Sequence, residues 1–189
     1  MSDPRFRYGV AATLSGMLCL SPAPLHAQDS APVPPAAPVV SELLIGVSQH
    51  DTDVFGEQRE EGWDVNVEIR FRPFPILGNP SVVLGGNINT SDAVSSGYLA
   101  LNWSSNRREP GFVVSFSLGA GVHDGELRDE PVIEERDLGS RVLFYLGLDI
   151  GWRFGRHGFY LHADHMSNGG LADDNEGLDT FGVRYGYAF

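Results

Sequence analysis

The sequence predicts an all-β fold, an eight-stranded antiparallel transmembrane β-barrel, on three observations. Apolar residues recur at every second position in eight separate stretches, the longest reaching the ~10 residues a tilted strand needs to cross a bilayer. The opposite face carries charge as well as polarity, with Asp64, Glu68, Arg70, Arg141, Asp149, Arg153 and Arg184 read as mid-strand positions. A barrel lumen filled by small and mutually paired side chains needs such a face. Aromatic residues gather toward the stripe ends (Trp63, Phe71, Trp103, Trp152, Phe154, Tyr187 and Phe189), where an interfacial girdle would lie. A water-soluble β-sandwich, which would bury its apolar face inside, is the competing architecture; a soluble lipid-binding barrel of lipocalin type, folding without detergent, is a third reading.

The elements follow in order. Arg5 and Arg7 precede an apolar run from Tyr8 to Leu20, and Leu25-His26-Ala27 offers a small-residue cleavage site. Residues 1–27 are therefore expected to be a secretory signal peptide, too short in its apolar part to span a bilayer as a helix. Residues 28–39, rich in Pro and Ala and without periodicity, read as a linker. The barrel is expected over 40–189. Its stripes are Leu43-Ile45-Val47; Trp63-Val65-Val67-Ile69-Phe71; Val82-Leu84-Gly86-Ile88; Leu99-Leu101-Trp103; Phe112 to Val122 by twos; Val142 to Phe154 by twos; and a closing pair within Phe159 to Phe189.

Composition narrows the function classes. The net charge is -12, and all thirteen basic residues are arginines. So acidic a chain is a poor nucleic-acid binder. The one cysteine, Cys19, lies in the signal segment, so no disulfide and no cysteine-based zinc site is expected after cleavage. No metal site and no cofactor are expected. The acidic stretch 124–137, with Asp51, Asp53, Asp173 and Asp174, reads as solvated loop rather than as a calcium site.

With the N-terminus in the periplasm, the connections near 50–61, 90–96, 124–138 and 168–177 would face outward. The shorter ones at 73–80, 104–110 and 155–157 would face inward. Arg136 and Arg141 then fall near the external rim, where they could meet phosphates.

The last two stripes hold the chemistry. From Phe159 to Ser167 the odd positions share a face, so His165 and Ser167 stand side by side at the end of an apolar stripe. In the final stripe Asp179 heads a face shared with Phe181, Val183, Tyr185, Tyr187 and Phe189. Paired as a hairpin, the two strands would bring a hydroxyl, an imidazole and a carboxylate together, the parts of an activated serine. His162 falls on the lumen face and reads as a hydrogen-bonding interior residue.

The run His165-Met166-Ser167-Asn168-Gly169-Gly170, followed by Asn175, Gly177 and Asp179 and a short aromatic final strand, resembles the outer-membrane lipid A 3-O-deacylase family. The resemblance implies a serine esterase that removes the 3-O-linked acyl chain from lipid A of lipopolysaccharide in the outer membrane of a Gram-negative cell. It implies His165, Ser167 and Asp179 as catalytic residues. The family's third catalytic position, a Glu in a known member, falls on Asp179, one methylene shorter; Glu176, in the loop, is the alternative acid. Asn168, by side chain or backbone, and the Gly170 amide are the expected oxyanion donors. Phe159, Leu161, Phe181 and Val183 are the expected acyl-binding wall. Self-association into a homodimer is left open by the sequence. The alternative function is a non-catalytic structural or adhesion barrel, in which His165 and Ser167 would be dispensable.

Overall fold

The computed structural model describes residues 38–52, 60–127, 138–172 and 175–189. The expected signal segment, most of the linker, Asp53, Asp173, Asp174, Arg136 and most of the acidic stretch 124–137 lie outside the described residues.

Eight antiparallel strands run β1 (Val40–Gln49), β2 (Trp63–Phe71), β3 (Ser81–Asn89), β4 (Ser96–Ser104), β5 (Gly111–His123), β6 (Val142–Phe154), β7 (His157–Ser167) and β8 (Leu178–Ala188). Each pairs with its sequence neighbour, and β1 pairs with β8, so the sheet closes without an edge. Closure satisfies every strand's backbone groups within the wall, the condition for crossing a bilayer with strands. No helix among the described residues is long and apolar enough to cross a membrane.

The alternation sorts as the pattern requires. Ile45, Leu84, Leu99, Phe116, Phe144, Leu148, Leu161 and Val183 stand exposed on the outer wall. Asp64, Glu68, Arg70, Asp149, Arg153, His162 and Arg184 are buried in the lumen. A lipocalin-type interior would be apolar; here the charges are inside and the hydrocarbon outside, as in a membrane barrel.

The lumen charges form one network. Arg70 Nε donates to Glu68 at 2.6 Å, and a second Arg70 donor reaches Asp149. Arg184 bridges Glu68 (3.3 Å) and Asp149 (3.4 Å) and donates to the Tyr98 hydroxyl at 3.0 Å. His162 lies between Asp149 (2.8 Å) and Asp164 (3.0 Å). Tyr98 stacks on Tyr145 with ring centroids 3.9 Å apart. Buried ions are tolerable when paired in this way, and removing one partner would strand the others.

One expected lumen charge is elsewhere. Arg141 precedes β6 instead of lying within it, is exposed, and donates to the carbonyls of His123, the last residue of β5, and of Gly125 just beyond it. Its place in the alternation is correct, but the strand ends one residue short of it. By strand order, β1–β2, β3–β4, β5–β6 and β7–β8 are joined at one end of the barrel, and the 72–80, 105–110 and 155–156 turns share the other.

Candidate active site

β7 and β8 meet at the loop end, and their register sets the site. His165 is paired directly across from Asp179, while on the other side of β7 Leu146 faces His165 and Phe144 faces Ser167. Directly opposed residues on one face bring their side chains into reach. Accordingly, His165 Nδ1 lies 2.7 Å from Asp179 Oδ1, and His165 Nε2 lies 3.0 Å from Ser167 Oγ. A carboxylate only accepts, so Nδ1 carries the proton and donates to Asp179. In the neutral ring, Nε2 is then an acceptor for the Ser167 hydroxyl. The imidazole is half open to the outer surface, its side chain 29% exposed against 11% for Asp179.

The loop end holds this line in place. Thr52, just beyond β1, donates its N–H to the Asp179 carbonyl at 2.8 Å. Gly177 adopts φ 66°, and a Cβ there would lie 3.0 Å from His165 Cε1, so the backbone passes close over the ring. Glu176 is in the connection ahead of β8, outside the pairing that places Asp179 on Nδ1.

The Asn168–Leu171 turn is tightly bonded. The Asn168 N–H donates to Asn175 Oδ1 at 2.9 Å, and its Nδ2 donates to the Leu138 carbonyl at 3.0 Å. Its Oδ1 accepts the Gly170 N–H (2.8 Å) and the Leu171 N–H (3.2 Å). The donors of Asn168 are thus engaged by Asn175 and Leu138, and the Gly170 N–H within the turn itself. Between them, the Gly169 N–H has no acceptor among the described residues. A Cβ on Gly169 would lie 3.1 Å from the Phe144 ring, beside the cross-strand neighbour of Ser167.

An apolar groove of about 330 Å³ opens on the outer wall at the site, lined by Phe116, Leu146, Leu148 and Ala163 with His165 and Asp179. A second, of about 930 Å³, continues down the wall along Ile150, Trp152, Phe159, Leu161, Val183 and Tyr185. Of the four residues expected to form an acyl wall, Phe159, Leu161 and Val183 line this lower groove. Phe181, exposed and paired with Ala163, lines neither groove. Sequence reasoning missed the β6 and β5 contribution, Leu146, Leu148 and Phe116. Their stripes were visible, but which of their residues stand beside His165 depends on inter-strand register. No cluster of metal-ligating side chains occurs among the described residues.

Fold and site define a closed eight-stranded β-barrel with an acid–imidazole–hydroxyl line on its apolar outer wall. The family model for lipid A 3-O-deacylase (PagL) matches residues 62–188. The chain belongs to the lipid A 3-O-deacylase family. Among solved structures it is similar to the outer membrane enzyme PagL (TM-score 0.58, 14% identity, 77% of this chain and 99% of that one). It is also similar to the N-terminal β-barrel domain of Pseudomonas aeruginosa OprF (TM-score 0.50, 9% identity, 78% and 98%). At such identities the likeness concerns the fold. No protein of curated function matches the sequence.

Proposed function

We propose that the protein is a serine-dependent lipid A 3-O-deacylase working in the outer leaflet of the outer membrane, to which a cleaved signal peptide delivers it. The unbroken Asp179–His165–Ser167 line on a lipid-facing wall carries this reading. The long connections face outward, so the site lies at the depth of the lipid A acyl esters. An acyl chain enters sideways from the membrane and lies along the groove beside Leu146, Leu148 and Ala163, continuing toward Leu161.

Ser167 Oγ attacks the ester carbonyl at the 3 position of the glucosamine while His165 Nε2 takes its proton. Asp179 holds the Nδ1–H and stabilises the imidazolium that forms. The oxyanion is received by the Gly169 N–H, the backbone donor of the Asn168–Gly170 turn left uncommitted among the described residues, with the Asn168 side chain fixing the turn. Collapse of the adduct breaks the carbon–oxygen bond, and His165 returns its proton to the leaving sugar hydroxyl. Water, deprotonated by the same nitrogen, then releases the fatty acid and restores Ser167.

The test is mass spectrometry of lipid A after incubation of lipopolysaccharide with the protein refolded in detergent. Wild type removes one 3-O-linked acyl chain. Ser167→Ala, folded by heat-modifiable migration, loses on the order of 10³-fold or more in rate. Unmodified lipid A with folded wild-type protein would favour the structural or adhesion barrel instead.

A further inference from the structure

The turn end of the lumen is as basic as the chain overall is acidic. A cavity of about 480 Å³ opens there, lined by Arg70 near the end of β2 and Arg72 just beyond it, Arg107 and Arg108 from the β4–β5 turn, Arg153 near the end of β6, and Arg156 from the β6–β7 turn. Among the described residues, Glu42 supplies the one acidic side chain of the lining. In a chain of net charge -12 with thirteen arginines, gathering six around one mouth is a marked segregation.

Glu42 is already divided between Arg153 (2.7 Å) and Arg70 (3.5 Å), and Arg70 spends its other donors on Glu68 and Asp149. Arg153 is 2% exposed. Its Nη2 donates to Glu42 and, at 2.8 Å, to the Tyr160 hydroxyl, while Nε and Nη1 have no hydrogen-bond partner among the described residues. A buried guanidinium with two unmet donors is unfavourable, and an anionic acceptor would remove that penalty. Burial and the neighbouring Arg70 charge both pull Arg107 below its ordinary pKa, as expected where positive charge is under-compensated. At the rim, Arg72 donates to the Pro38 carbonyl and Arg156 contacts the Tyr187 hydroxyl. Among the described residues, no carboxylate pairs with Arg72, Arg108 or Arg156.

We propose that this mouth is a binding site for a phosphate-bearing anion, with Arg153 at its floor and Arg107, Arg108 and Arg156 around its opening. Guanidinium forks engage phosphate oxygens in pairs, and an all-arginine lining suits that geometry better than point-charge ammonium groups. The volume falls within the ordinary range for small-ligand sites. Two sources share this chemistry: dissolved phosphate, and the headgroup of a phospholipid in the leaflet at the turn end. The site is at the opposite end of the barrel from Ser167, so it stands or falls independently of the deacylation mechanism.

The full chain, refolded in neutral-detergent micelles, is titrated calorimetrically with inorganic phosphate at an ionic strength held constant by chloride. Native mass spectrometry of micelles doped with phosphatidylglycerol counts retained lipid. One saturable site is expected in at least one of the two measurements. Competition between lipid and phosphate identifies a headgroup site, and phosphate binding without lipid competition identifies a site for the dissolved ion. Arg153→Gln should abolish binding. The double variant Arg108→Gln/Arg156→Gln, altered only at exposed turn positions, should fold and weaken binding by about tenfold or more while leaving deacylation unchanged. That second variant decides the matter if Arg153→Gln fails to fold. Absence of saturable binding in both measurements, or equal binding by wild type and the double variant, overturns the proposal.

Discussion

Replacing Asp179 by Asn keeps size and shape but removes the charge that meets His165 Nδ1 at 2.7 Å. In the proposed mechanism the imidazole becomes a cation beside that carboxylate during attack on the ester. Two unit charges about 4 Å apart interact by about 4 kcal/mol at an effective dielectric near 20, which is roughly three decades in rate. With His165 29% exposed, water screens part of this, so a loss of about 10²–10³-fold is expected. An amide can also present its NH₂ to Nδ1, forcing the proton onto Nε2 and leaving Ser167 without an acceptor, which deepens the loss. Asp179→Glu keeps the charge on the same face and should retain activity to within about tenfold. Glu176→Gln leaves the Asp179–His165 pair intact and should have little effect. The assay is release of fatty acid from lipopolysaccharide, with heat-modifiable migration confirming the barrel in each variant. An inactive Glu176→Gln beside an active Asp179→Asn would refute the argument from register.

Two further outcomes follow from the loop end. Gly177→Ala forces a side chain into φ 66°, costing about 1–2 kcal/mol, and drives its methyl against His165 Cε1; activity should fall at least tenfold while the folded fraction stays near wild type, measured on the same gels. His50 is held between Asp64 (2.9 Å) and Glu60 (2.9 Å): burial opposes its charge, but those two carboxylates overcome it and raise the pKa from 6.5 to about 9. A raised histidine stabilises the folded state fully below pH 6.5, and this contribution, about 3 kcal/mol, is lost as pH rises through about 9. Wild type should therefore lose thermal stability between pH 7 and 10, whereas His50→Gln should show a flatter profile over that window.

Much of this protein was legible residue by residue. A pleated strand alternates its faces whatever its neighbours do, so the eight stripes, the outward hydrocarbon and the inward Asp64, Glu68, Arg70 and Arg184 could be read from local pattern alone. The same period placed His165 beside Ser167. Local pattern stops at the strand boundary. Arg141 has lumen parity yet lies in a loop, because where pairing ends depends on the partner strand.

Register and closure belong to the tertiary structure, since they are fixed by hydrogen bonds between segments far apart in sequence. They decided that Asp179 stands opposite His165, and that Leu146 and Phe144 from β6 flank the imidazole and the hydroxyl. They also joined Thr52 to the Asp179 backbone and met the Arg70 and Arg184 charges with Glu68 and Asp149. The six arginines at the turn end are scattered over β2, β6 and three separate turns in the chain, and no spacing in the sequence connects them. Only closing the barrel puts them around one opening, because a ring of strands brings every second connection to the same end.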